Sequence, residues 1–153
     1  MAGNKGMFNT IVVATDGSEN AAAAVRTACD LKAGAPEAEM HVLTAYHAMT
    51  PAEINELKDA LPDEFAPLLH ADYVADERIE AAKQMVKAAG LSATYHEIRD
   101  NPADAILDLA DLVKADLIVV GSRGHGIGQR LIHGSVSTKV LHHAQCSVLV
   151  VKL

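Results

Sequence analysis

Short, continuous runs of β-branched and aliphatic residues constrain the fold of this chain most strongly. Residues 10–14 and 117–120 show no alternation of polar and apolar side chains, which is typical of strands buried on both faces of a parallel sheet. Stretches with apolar residues at helical spacing separate these runs. The predicted strands are residues 10–14, 40–46, 93–99, 117–120 and 147–152, and the main predicted helices are residues 19–33, 72–89, 102–113 and 135–143. Alternating strands and helices predict an α/β fold with a parallel sheet and right-handed crossovers.

Residues with known capping preferences mark the ends of the predicted helices. Ser18 directly precedes the first predicted helix and suits its N-terminal cap. Asn101 suits the cap of the predicted helix 102–113, with Pro102 at its first position. Gly90 follows the long amphipathic helix and suits its C-terminal cap. Residues 47–71 are less regular, with a short helix expected near 51–60, and they either cover a site or form an inert surface excursion.

Length and composition limit the architecture and the class of ligand. The 153 residues fit a single domain spanning 1–153, and with 3% aromatic residues its core must consist of Ala, Val, Leu and Ile. The formal net charge of −7 disfavours nonspecific binding to nucleic acid or to an anionic membrane. No apolar run approaches the roughly 20 residues of a membrane helix. Two cysteines, Cys29 and Cys146, and a polar start without a signal peptide predict a cytoplasmic protein with reduced thiols.

A glycine-rich segment follows the fourth predicted strand and ends at a helix start. Glycine allows the backbone to approach an anion closely, and free N–H groups at a helix N-terminus attract phosphates. The spacing fits neither a P-loop nor the dinucleotide motif G-x-G-x-x-G. Parallel sheets bind ligands at the carboxyl ends of their strands. The first strand ends in Thr15-Asp16 and the fourth in Gly121, so both ends face one crevice if these strands are neighbours, which the residues alone do not decide.

Several of these residues also have plainer interpretations. Gly134-Ser135 alone is compatible with a simple helix start, and Asp16 with a turn residue before Gly17. Arg123 either holds a phosphate or points into solvent. The eight histidines show no zinc-ligand spacing, so scattered surface or half-buried positions are expected for them and no metal site is predicted.

The pattern Gly121-x2-Gly124-x9-Gly134-Ser135 resembles the nucleotide-binding signature of the universal stress protein family. The resemblance extends over nearly the whole chain, including the opening residues 14–18 and the closing residues 146–151. It implies a doubly wound, Rossmann-like parallel sheet of five strands in the order 3-2-1-4-5. This order would place the first and fourth strands side by side.

The same resemblance implies a pocket for ATP or AMP between the first and fourth strands, with Mg²⁺ or Mn²⁺ bound through the phosphates. The residues it assigns are Ala14, Thr15 and Asp16 at the nucleoside, Ala45 at the adenine, Gly121 at the ribose, and Gly124, Gly134, Ser135, Val136 and Ser137 around the phosphates. Arg123 is a further candidate for a phosphate contact. His125 stands where many relatives carry a stronger base, a difference that would make the binding of a terminal phosphate dependent on pH.

A regulatory, ATP-binding stress-response protein is the function we expect. The alternatives are a slow ATPase or phosphoryl or adenylyl transferase, disfavoured because no general base is evident, and an interaction module that binds no nucleotide. The fifth strand is an apolar edge guarded only by Lys152, so a homodimer through that strand is predicted. The strand residues expected at this interface are Val148, Leu149, Val150 and Val151.

Overall fold

The computed structural model describes residues 6–47, 50–60, 62–64, 71–122 and 134–153. Its strands are β1 (Thr10–Ala14), β2 (Glu39–Ala45), β3 (Thr94–Ile98), β4 (Leu117–Gly121) and β5 (Ser147–Val151). Its helices are α1 (Glu19–Ala33), α2 (Pro51–Ala60), α3 (Ala71–Ala88), α4 (Pro102–Leu112) and α5 (Ser135–His143). Each predicted element is present, with boundaries shifted by about one residue, the usual variation at element ends.

All five strands pair in parallel in the order β3-β2-β1-β4-β5, which confirms the predicted fold class. The pairing of β1 with β4, which the residues alone left open, is direct: Ile11 lies opposite Leu117 and Val13 opposite Val119. The carboxyl ends of β1 and β4 therefore lie next to each other at one edge of the sheet.

Apolar layers cover both faces of the sheet, as the continuous apolar runs predicted. On one face, α1 packs against β1 and α3 packs against β2 and β3, with Val13, Val25 and Ile79 almost completely buried. On the other face, α4 and α5 bring Ile106 and Val140 against the sheet. The β1 side chains alternate between these layers, so this strand is inaccessible from either side.

Local hydrogen bonds begin the helices where the sequence predicts. The Ser18 hydroxyl accepts a hydrogen bond from the N–H of Ala21 (3.2 Å), and the Asn101 side chain accepts one from the N–H of Ala103 (3.1 Å). Each satisfies an N–H group that lacks a partner within its own helix. Gly90 follows α3 at a φ of 70°, the left-handed conformation that favours glycine at a helix end.

The amino ends of β1 and β4 are tied together by the Asp116 carboxylate. It accepts hydrogen bonds from the backbone N–H groups of Asn9 (2.8 Å) and Thr10 (3.0 Å) and from the Asn9 amide (3.1 Å). Burial acts to raise the pKa of Asp116, but these hydrogen bonds outweigh it and hold the pKa below its usual value. The opposite, carboxyl edge is left for loops and helix starts. Within the described ranges, no helix combines the length and the apolar character needed to cross a membrane.

Candidate functional site

A cavity of about 340 Å³ lies at the carboxyl ends of β1 and β4, within the usual size range of small-molecule pockets. It gathers residues from the ends of β1, β2 and β4 and from the start of α5. The sequence-predicted residues that line it are Ala14, Thr15, Asp16, Ala45, Gly121, Gly134, Ser135, Val136 and Ser137. Arg123 and Gly124 lie outside the described residues.

The turn between β1 and α1 forms one wall of this cavity. The N–H of Thr15 donates to the carbonyl of Leu43 on β2 (2.8 Å), which holds the end of β1 in the sheet. The Thr15 hydroxyl accepts from the N–H of Gly17 (3.2 Å), and the Asp16 carboxylate accepts from the N–H of Ser18 (2.9 Å). Asp16 therefore supports the turn, as its plainer interpretation requires, and at the same time borders the cavity.

The start of α5 forms a second wall. Gly134 occupies the N-cap position with extended backbone (φ −64°, ψ 153°), and no side chain of the described residues caps this helix end. The N–H of Gly134 donates to the carbonyl of Ser122 (2.7 Å), which anchors the helix start to the end of β4. Ser135 is exposed, whereas Ser137 is buried and its hydroxyl donates to the Gly134 carbonyl (3.0 Å). Ser135 thus has the more accessible hydroxyl of the two.

Gly121 brings β4 unusually close to α1. A Cβ atom at this position would lie 2.8 Å from the carbonyl carbon of Asn20 and 3.0 Å from the backbone nitrogen of Ala21. Side chains do not tolerate such distances to backbone atoms, so glycine is required here by helix–strand packing alone. The predicted contact with a ribose is a separate role that this packing neither requires nor prevents.

Six lining residues were not predicted from the sequence. Five of them are apolar, and the sixth is an arginine from α3. They are Ala21, Leu43, Pro102, Ile106, Val120 and Arg78. The apolar residues were not predicted because their spacing in the sequence is the same as that of ordinary core residues. The arginine has no motif and reaches the cavity only through the packing of α3.

Charge in the cavity is carried by Asp16 and Arg78 among the described lining residues. In the described part of the chain, no three His, Cys, Asp or Glu side chains group as metal ligands. A single cavity carboxylate does not fit a cation held by the protein alone. It is compatible with a cation that arrives with the phosphates of a nucleotide, as the family resemblance implies.

Two of the eight histidines form a pair that the sequence did not predict. His41 Nδ1 lies 3.0 Å from His96 Nε2 across the parallel strands β2 and β3, and His41 Nε2 lies 3.8 Å from a Glu39 carboxylate oxygen. Burial, and secondarily the nearby His41, lowers the pKa of His96. Neither ring lines the cavity described here.

Comparison with known proteins agrees with this fold. The model of the universal stress protein family matches residues 7–152. The chain belongs to the universal stress protein family. A universal stress protein of Thermus aquaticus is 36% identical over 152 residues, covering 95% of this chain and 100% of the relative. A universal stress protein of Mycobacterium tuberculosis is 34% identical over 145 residues, covering 94% and 96%.

Solved structures of family members share the fold. The universal stress protein from Lactobacillus plantarum is 25% identical, with a TM-score of 0.76, covering 97% of this chain and 99% of that one. A universal stress protein crystallised in complex with cAMP is 33% identical, with a TM-score of 0.68, covering 94% and 97%. An Arabidopsis thaliana family member with AMP bound is 17% identical, with a TM-score of 0.63 and coverage of 94% and 91%, and supports the fold alone.

Proposed function

We propose that this universal stress protein binds an adenine nucleotide in the cavity between β1 and β4 and acts as a regulatory stress-response protein. The observation that carries the proposal is the convergence of nine residues, from four distant segments, on one cavity. A family member that is 33% identical was crystallised with cAMP, an adenine nucleotide. Both cysteines of the described chain are free thiols, in keeping with action in the cytoplasm.

The proposed ligand is ATP or AMP, oriented by the two walls of the cavity. The nucleoside lies against Ala14, Thr15 and Asp16, and the adenine contacts Ala45 and the apolar lining residues. The phosphates lie at the uncapped start of α5, where free N–H groups and the helix dipole attract anions. Arg123 and Gly124 extend this phosphate site, and Mg²⁺ or Mn²⁺ accompanies the phosphates.

Calorimetric titration of the purified chain with ATP, AMP and adenosine tests the proposal. Gly134→Val should weaken ATP binding at least about tenfold, because it places a side chain at the helix start where phosphates lie. Valine is compatible with the extended backbone at this position, so the fold should persist. Thr94→Val is the matched control, because Thr94 is exposed at the amino end of β3, away from the cavity.

The same experiment separates the alternative functions. Wild-type protein that binds no adenine nucleotide would contradict the proposal and favour an interaction module. Equal ATP affinity in wild type and Gly134→Val would remove the α5 start from the site. A single-turnover assay with labelled ATP distinguishes a receptor, which retains intact ATP in stoichiometric amount, from a slow ATPase or transferase.

The assembly that accompanies this function is a homodimer formed by antiparallel pairing of two β5 strands. β5 is an edge strand of the sheet, so one row of its backbone groups has no strand partner within the described chain. Its side chains Val148, Val150 and Val151 are half-buried, and Leu149 is 37% exposed. An apolar edge strand of this kind favours pairing with a second strand.

A further inference from the structure

Arg78 extends from α3 to the cavity between β1 and β4, although α3 belongs to the layer on one face of the sheet. Its neighbour Ile79 is 1% exposed and packs in the core beneath this helix. The register of α3 is therefore fixed by core packing. That register directs the preceding residue, Arg78, towards the carboxyl edge of the sheet.

The missing side chain of Gly17 makes room for this arginine. A Cβ atom on Gly17 would lie 3.1 Å from Arg78 Cγ and 3.8 Å from its Cδ and Nε. The arginine stem therefore passes directly over the turn that follows β1. Gly17 also has a φ of +79°, so both its backbone conformation and this contact favour glycine. The Arg78 stem is consequently held over the turn that carries Asp16, the residue proposed to contact the nucleoside, and both residues line the cavity.

Arg78 places a positive charge at the wall of the cavity. Arg78 is not a member of the ion pairs that join His41 to Glu39, Lys83 to Glu80 and Lys139 to Asp104 in the described part of the chain. The chain as a whole carries a net charge of −7, and Asp16 adds a carboxylate to the cavity. A cation at the α3 wall offsets this negative potential where an anionic ligand enters.

We propose that Arg78 is a ligand-binding residue that sets the preference of this cavity for nucleotides over nucleosides. This inference rests on the proposed function. The Arg78 stem lies over the turn that follows β1 and carries Asp16, whereas the start of α5 is anchored to the end of β4. Arg78 therefore binds the phosphate nearest the ribose, and the start of α5 binds the phosphates beyond it. A planar guanidinium donates two parallel hydrogen bonds to such a phosphate, which a lysine cannot reproduce.

Titration of Arg78→Gln with adenosine, AMP and ATP tests this assignment. We expect the affinities for AMP and ATP to fall by a similar factor, about tenfold, while the affinity for adenosine is unchanged. Arg78→Lys should recover only part of the loss. The ratio of ATP to AMP affinity should stay constant in Arg78→Gln and should fall in Gly134→Val. Arg26→Gln is the matched control, because Arg26 is exposed on α1 and does not line the cavity.

The outcomes distinguish this inference from the function on which it rests. Wild-type protein that binds no adenine nucleotide contradicts the proposed function itself. Wild-type binding with an unchanged AMP affinity in Arg78→Gln overturns the role of Arg78 alone. An equal loss of adenosine and AMP affinity also overturns it, because the arginine would then contact the nucleoside or support the fold. Unchanged thermal unfolding of ligand-free Arg78→Gln and a weaker salt dependence of its AMP affinity support it.

Discussion

Replacing Gly121 by alanine tests the close approach between the end of β4 and the start of α1. The added Cβ would lie 2.8 Å from the carbonyl carbon of Asn20, 2.9 Å from its oxygen and 3.0 Å from the backbone nitrogen of Ala21. These three atoms belong to the helix backbone, so no side chain can rotate away to relieve the contact. Restoring ordinary van der Waals distances requires α1 to move by about half an ångström.

The loss of unfolding free energy caused by this movement depends on the residues that α1 buries. Ala24, Val25 and Ala28 of this helix are at most 1% exposed, so displacing the helix disturbs a closely packed layer. Overpacking of this kind costs about 1–3 kcal/mol of unfolding free energy. We therefore expect a loss near 2 kcal/mol, which lowers the Tm by about 4–8 °C in a chain of this size. Because Ala21 and Gly121 both line the cavity, the affinity for nucleotide should fall as well.

Gly34→Ala provides the matched control for this variant. Gly34 has ordinary helical angles (φ −77°, ψ −12°), and a Cβ there would lie 3.5 Å from the nearest atom, the carbonyl oxygen of Leu31. Alanine should be neutral or stabilise the chain by about 0.4–1 kcal/mol by restricting the unfolded state.

Urea denaturation of both ligand-free variants, at one pH and one protein concentration, measures the difference. Similar stabilities for Gly121→Ala and Gly34→Ala would refute the packing argument. In that case glycine at 121 would serve the ligand alone, and only the affinity of Gly121→Ala would fall.

The two remaining predictions concern stability and assembly. Burial and the nearby His41 lower the pKa of His96 in the folded chain, so protons bind more tightly to His96 in the unfolded chain. The stabilising effect of neutral His96 is therefore complete above about pH 6.5, and it is lost as the pH falls towards the folded pKa. Urea midpoints of His96→Gln should therefore vary less between pH 7 and 5 than those of wild type, and identical pH profiles would contradict this. Leu149→Lys should convert the proposed dimer to a monomer in light scattering, whereas a wild type that is already monomeric at micromolar concentration would contradict the β5 interface.

The fold was predictable because its determinants are local. Residues 10–14 and 117–120 have the unbroken apolar pattern of doubly buried strands, and Ser18 and Asn101 cap the helices as expected. The adjacency of β1 and β4, by contrast, has no local determinant. It joins strands about a hundred residues apart, and no periodicity in either strand encodes the partner, so only the family resemblance supplied the strand order.

The residues of the candidate site also fall into two groups, those that a local motif predicts and those that only packing brings to the cavity. Asp16, Gly121 and Gly134 were predicted because each stands in a recognisable motif at a strand end or a helix start. Arg78 was missed because helical periodicity identifies only the core face of α3 and leaves its other residues as presumed solvent positions. Its place at the cavity depends on the packing of α3 against α1 and on the absence of a side chain at Gly17.

The position of the cavity follows from the direction in which the chain leaves β1 and β4. α1, which follows β1, lies on one face of the sheet and α5, which follows β4, lies on the other, so a gap remains between the two helix starts. Both helices begin at this gap, but their N-caps differ. Ser18 satisfies an amide of α1 with its own hydroxyl, whereas Gly134 offers no side chain to α5. In the proposed function, α5 is therefore the helix whose first amides bind a phosphate, because Gly134 leaves them without the side-chain cap that Ser18 provides to α1.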